Sequence, residues 1–232
     1  MPDTYYLAGS GFNLIDGSTV AVTSENSLFP KANLYDNRPS RPFKFNAAAA
    51  DDYITFDLGA AKNVDFCSIH YHNIDTGVTA IRLYSKTSAF ASATDGTLEA
   101  TFTKATPTFY THLTSPVNRR YWKVSFIGTN GSPIELGEIV LGEASVFTNN
   151  QRPQWETQYR RRQIRNTTRA GEVHVYNITD QEERIVQLTY RPDSSAAFEE
   201  VRDDIYQGTN GGATPFVIVP DGDREEVIHG RI

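Results

Sequence analysis

The chain has 232 residues and a formal net charge of −6, with a sequence pI near 5.4. Its 39% hydrophobic and 22% charged residues are those of a folding chain, long enough for one large domain or for a medium and a small one. The acidic balance argues against a general nucleic-acid binder, and the single cysteine, Cys67, excludes an intrachain disulfide.

The start, Met1-Pro-Asp-Thr-Tyr-Tyr-Leu, lacks the basic and apolar regions of a secretory signal. No segment approaches the length of a membrane span. The Asn-x-Ser/Thr sequons at Asn130, Asn166 and Asn177 are therefore read as chance occurrences. From residue 10 to 147 the chain reads as short strands separated by turns. Residues 52–58 alternate, with Tyr53, Thr55 and Asp57 on one face and Ile54, Phe56 and Leu58 on the other, and Gly59 ends the run. Further strands are expected over 64–71, 80–84, 120–127 and 138–141. In the fourth of these, Tyr121, Lys123, Ser125 and Ile127 stand opposite Trp122, Val124 and Phe126, with Trp122 expected in the core. Cys67 lies in an apolar run and reads as packing rather than as a nucleophile.

Composition changes near residue 150. All six Lys precede it, and every base after it is Arg. The polar stretch 148–153, ending in Pro153, reads as a connector, giving one domain over 1–150 and a second over 151–232. In the second, strands over 169–178 and 184–191 are expected to form a hairpin across residues 179–183. Ser195 can cap a helix running to about Tyr206, with Phe198, Val201 and Ile205 on one face and Gly208 as its end. A short strand follows over 216–219. The expected class is mainly β: a sandwich followed by a small α+β (β-β-α-β) domain.

Residues 13–145 resemble the discoidin branch of the galactose-binding-like superfamily. The resemblance rests on four stretches in order: Ala32-Asn-Leu-Tyr-Asp36, Tyr53-Ile-Thr-Phe-Asp-Leu-Gly59, Arg120-Tyr-Trp-Lys-Val124 and Ile134-Glu-Leu-Gly-Glu-Ile-Val-Leu141. It implies an eight-stranded jelly roll whose loops at one end bind sugars, lipid headgroups or proteins. Extracellular relatives tie their ends with a disulfide, which this chain cannot do. Some relatives hold a structural calcium on loop carboxylates and carbonyls, for which Asp36, Asp51 and Asp52 are the nearest residues. The whole chain also resembles a tailed-bacteriophage tail-tip or baseplate component, such as a distal or minor tail protein. That resemblance implies a ring of copies in the virion tail, assembled in the host bacterial cytoplasm beside other tail proteins and contacting a host-surface glycan. The alternative is a carbohydrate-binding adhesion module.

Catalytic motifs are missing from the sequence. The Gly-rich loop at 208–212 has no Lys-Ser/Thr after it, and neither a Gly-x-Ser-x-Gly nor a His-Glu-x-x-His occurs. Asp51 and Asp52 are adjacent and cannot flank a glycosidic bond as two carboxyls on one strand. His70 and His72, with Asp75, could grip a metal but read equally as a polar strand face, so no metal ligand and no cofactor is assigned. Residues 36–45 place Arg38, Arg41 and Lys44 beside Phe43 and Phe45. Either Arg38, Arg41, Phe43 and Lys44 form a ligand contact, or the two Phe start a core strand. The second domain separates its charges. Arg160, Arg161, Arg162 and Arg165 belong to a basic arm, and Glu182, Glu183, Glu199 and Asp203 to an acidic stretch, a pattern that could close a ring head to tail.

Overall fold

A computed structural model describes residues 5–9, 11–38, 40–103, 108–146, 154–160, 163–167, 173–177, 183–189, 195, 199, 201–211, 216–219 and 228–230. The chain divides into two compact units, one formed by Met1–Asn150 with Ser194–Ile232, the other by Gln151–Asp193.

The first unit is an antiparallel β-sandwich. Its strands are β1 (Tyr5–Leu7), β2 (Thr19–Val22), β3 (Phe43–Lys44), β4 (Ala50–His72), β5 (Val78–Lys86), β6 (Thr97–Thr101), β7 (Thr108–Thr129), β8 (Glu135–Gly142) and β9 (Ser145–Val146). Seven of them form one sheet in the order β3-β8-β4-β7-β5-β6, with β2 pairing β4. Two strands are very long and run antiparallel to each other, from Ala50↔Thr129 to His70↔Thr108. Their register breaks between Asp57 and Lys62, and again between Val64 and Phe66. Such irregularities let a sheet bend. The first half of β4 pairs β2, and its second half pairs β8. The sheet thus folds over on itself around one core, in which Ile54, Phe56, Trp122, Val124 and Phe126 meet Ile69, Phe109, Leu136 and Ile139. Trp122 is fully buried, as the alternation predicts. The expected strands over 52–58 and 64–71 are the two halves of the single strand β4.

A second sheet has the order β15-β14-β1-β9, where β14 is Phe216–Val219 and β15 is Ile228–Gly230. Leu7, Val217 and Val219 from it pack on Phe66 and Val140, which point away from the main core. Strand β8 is therefore buried on both faces. At its end Gly142 admits no side chain: a Cβ there would stand 2.5 Å from the Phe12 carbonyl oxygen and 2.8 Å from Leu7.

These pairings correct the division at residue 150, because the last part of the chain belongs to the sandwich unit. The sequence placed β14 and the helix in a separate α+β domain. Ser195 and Glu199 are helical as expected, but Val201–Gln207 is a π-helix, with the Gly208 amide donating to the Asp203 carbonyl five residues back. The Tyr6 hydroxyl donates to Asp204 at 2.8 Å and ties this helix to β1.

The second unit, the arm, is made of four strands in two antiparallel pairs. Strand β10 (Gln154–Arg160) pairs β13 (Glu183–Thr189), and β11 (Gln163–Thr167) pairs β12 (Val173–Asn177). The expected hairpin between the last two of these strands is therefore replaced by a longer one, in which Thr167 stands opposite Val173.

Candidate functional site

The outward face of the folded sheet carries a groove with a loop beside it. On β4 the inward residues Ile54 and Phe56 leave Tyr53, Thr55 and Asp57 facing out, and on β7 the inward Trp122 and Val124 leave Tyr121, Lys123 and Ser125. A loop over residues 87–96 crosses this face. Lys123 lies beneath it, fully buried, and its ammonium donates to the carbonyls of Ser92 at 2.7 Å and Asp95 at 2.6 Å. The ammonium also sits 4.4 Å from the centre of the Phe90 ring and 4.6 Å from that of Tyr84. Two residues on, the Ser125 hydroxyl donates to the Ala93 carbonyl at 2.7 Å. The Asp95 carboxylate accepts from Lys86 and from the Ala91 amide. Burial pulls the Lys123 pKa down to about 8, partly offset by Asp95 and reinforced by the Lys86 charge.

Beside this loop remains a groove of about 380 Å³. Tyr53, Phe90 and Tyr121 line it with rings, Thr19 and Thr55 with hydroxyls, and Asp57 with a carboxylate. Asp57 takes a bidentate pair from Arg120, at 2.6 and 2.8 Å, which holds its pKa below the usual carboxylate range. The Arg120 guanidinium lies 4.9 Å from the centre of the Tyr121 ring and orients it. Rings beside hydroxyls and a fixed charge pair suit an amphipathic ligand with one apolar and one hydroxylated face.

Residues 36–45 do not form a common face. Phe43 is wholly in the core, edge-on to Phe45 at 4.8 Å, so its proposed ligand contact is corrected: β3 turns Phe43 inward because its neighbour Lys44 points out. Lys44 pairs with Glu135 at 2.6 Å, Arg41 lies 3.6 Å from Asp36, and Arg38 is exposed.

The segment next to them holds a feature the sequence reading missed. Glu138 on β8 is fully buried, and neither carboxylate oxygen has a hydrogen-bond partner. It faces the amides of Asn37 and Arg38 without bonding either in good geometry, and burial, with Asp36 and Asp16 nearby, pushes its pKa up to about 9. The buried Oδ1 of Asn37 is likewise unpartnered, and Asn37 has a left-handed backbone, φ 58°. Two amide N–H groups face Glu138, and no three acidic side chains gather there to hold a metal among the described residues, so the site does not fit a cation such as calcium. Asp51 and Asp52 lie elsewhere. Asp51 accepts from the Gly128 amide, and Asp52, whose pKa burial raises, accepts from Thr23 at 2.6 Å.

The His70–His72 pair is not brought into a metal site. His70 is buried against the Ser68 hydroxyl at 2.9 Å, His72 packs edge-on to Phe109, and Asp75 caps the amides of Gly77 and Gly131. No group of three or more His, Cys, Asp or Glu side chains placed to hold a metal occurs among the described residues. Cys67 is buried and its thiol pKa raised, as befits packing. Of the residues expected at an assembly interface, Arg160 is the register partner of Glu183 within the arm, and Arg165 pairs with Val175. Glu199 and Asp203 are exposed, Asp203 being paired with the adjacent Arg202 at 2.6 Å. Arg161, Arg162 and Glu182 lie outside the described residues.

No protein-family model and no curated protein matches this chain. Solved structures do. Similar to it are a chitosan-binding module in complex with chitotriose, from a Paenibacillus sp. IK-5 chitosanase/glucanase (TM-score 0.49, 13% identity, covering 56% of this chain and 100% of that one), and a CBM32 module of a family 31 glycoside hydrolase from Clostridium perfringens (TM-score 0.45, 13% identity, 56% and 97%). A third is a Ruminococcus gnavus GH29 fucosidase in complex with fucose (TM-score 0.49, 17% identity, 57% and 27%). The likeness is one of fold. Among the described residues no helix is long and apolar enough to cross a membrane.

Proposed function

We propose that this protein is a non-catalytic carbohydrate-binding module that holds a glycan in the groove on the outward sheet face. The observation that carries this reading is the convergence of Tyr53, Phe90 and Tyr121 with Thr19, Thr55 and the Arg120–Asp57 pair on one open groove. A pyranose presents an apolar C–H face to a ring and hydroxyls to polar groups at its rim, and this surface offers both. Catalysis has no apparatus in the groove. Asp57 is the only carboxylate among the lining residues, and Arg120 occupies it, whereas glycoside hydrolysis ordinarily uses two carboxyls across the bond. A ring-forming tail subunit draws no support from the arm, where Arg160 stands opposite Glu183 of the same chain.

The test is a glycan array probed with the purified protein, followed by titration calorimetry on the best binder. Tyr121→Ala and Tyr53→Ala should each weaken binding by roughly tenfold or more, the scale of losing a buried aromatic contact. An array without binders, or variants that bind as the wild type does, would remove the proposal.

A further inference from the structure

We propose that Lys123 is a positioning residue for the groove: its side-chain amine fastens loop 87–96 across the sheet, and losing its donors releases Phe90 from the groove wall. The inference rests on the glycan reading for its purpose, but not for its geometry.

Lys123 is on the face of β7 that ordinarily meets solvent, and it is buried because the loop covers it. Three carbonyls of that loop bind to this one strand face: those of Ser92 and Asp95 to Lys123, and that of Ala93 to Ser125. A charged donor serving two carbonyls in a site shielded from water is the strong member of this set. The same ammonium lies against Phe90, the loop's ring in the groove, and Phe90 in turn rests on Gly96, where a Cβ would come within 2.6 Å of the ring. With φ at +109°, Gly96 provides both the turn and the space. Release of the ammonium therefore frees the loop's polar anchor and its ring together.

The groups facing Lys123 come from every element around it. They are Tyr53 on β4, Tyr84 and Lys86 on β5, Ser125 on β7, and Asp95 with the carbonyls of Ser92 and Asp95 in the loop. Asp95 also holds Lys86, so its carboxylate is shared. Burial under the loop lowers the Lys123 pKa to about 8. With the loop open the amine returns to water and to the ordinary lysine value, so between those two values the open form holds a proton that the closed form has released. Closure of the loop therefore strengthens as pH rises through this window, and the neutral amine still donates to the carbonyls.

Amide hydrogen exchange measured by mass spectrometry on wild type, Lys123→Met and Lys123→Arg, from pH 6.5 to pH 9.5 and corrected for base catalysis of exchange, tests it. In the wild type, protection of residues 88–96 should rise by about tenfold as pH passes 8, while β8 peptides stay protected throughout. Lys123→Met should show the unprotected loop at every pH, and Lys123→Arg should keep whatever protection it has without the pH step. Flat wild-type protection across this range would overturn the proposal, whether or not the variants fold. So would a Lys123→Met loop as protected as the wild type. Chitotriose titrated into the same samples reads the glycan function separately. A loop that tightens with pH in a protein that binds chitotriose at no pH leaves the fastener standing and counts against the glycan reading.

Discussion

Trp122 and Glu138 show how differently two buried side chains behave. Trp122 fills the core, and its indole N–H donates to the Arg119 carbonyl at 3.2 Å. Trp122→Ala should cost about 3–5 kcal/mol, read as a lowered denaturant midpoint with an unchanged slope. Glu138 is buried without partners. The folded chain keeps its proton up to about pH 9 while the unfolded chain releases it near the ordinary glutamate value of 4.5. The folded state then binds more protons across that window, so this group's contribution to stability declines as pH rises through it. Thermal melts from about pH 5 to about pH 9 should show that decline in the wild type and lose it in Glu138→Gln. Identical pH profiles for the two proteins would refute it.

At the scale of elements, alternation makes the inner face of the sheet readable. Ile54 and Phe56 against Tyr53 and Thr55, or Trp122 and Val124 against Tyr121 and Lys123, need only the two-residue period of a strand. What covers the outer face is not readable that way. Lys123 is a charged residue on an outward face, and the loop that buries it is set by carbonyls and a glycine far from it in sequence. Glu138 sits in an apolar run on β8, and only the second sheet, with β1 and β14, explains why that strand is buried on both sides. The arm was misread for the same reason. Residues 179–183 have turn chemistry, yet β12 and β13 each find a better partner earlier in the chain. The pairing makes a prediction. Replacing Gln151–Asp193 by a short Gly/Ser linker should leave the sandwich folded, because that segment forms a unit of its own. Ending the chain at Asn150 should destabilise it more, since β1 then loses β14, and Leu7 and Phe66 lose Val217 and Val219. Circular dichroism melts of the two variants decide between this division and one at residue 150.

For the molecule as a whole, the sandwich supplies a rigid frame and the groove lies on its broad face rather than on a cleft between parts. Binding there should require little rearrangement, so the association should be limited by the contacts made and not by ordering. Turnover should be at background against glycosides, esters and peptides. Hydrolysis that a single Asp or Glu substitution abolishes would refute this.

The pairing of Tyr5–Leu7 with Phe216–Val219 also bears on how the protein comes to be folded. During synthesis β1 is made early and β14 late, with nearly the whole sandwich and the arm between them. Contacts of such wide sequence separation close slowly, because the chain entropy must be overcome before they form. Until β14 emerges from the ribosome, β1 has only the short strand β9 beside it, and the apolar flank of β8 at Phe66 and Val140 stays partly uncovered. Between the synthesis of β9 and that of β14 the nascent chain therefore carries an open strand edge and an exposed apolar patch, which is the interval in which a chaperone would have most to protect.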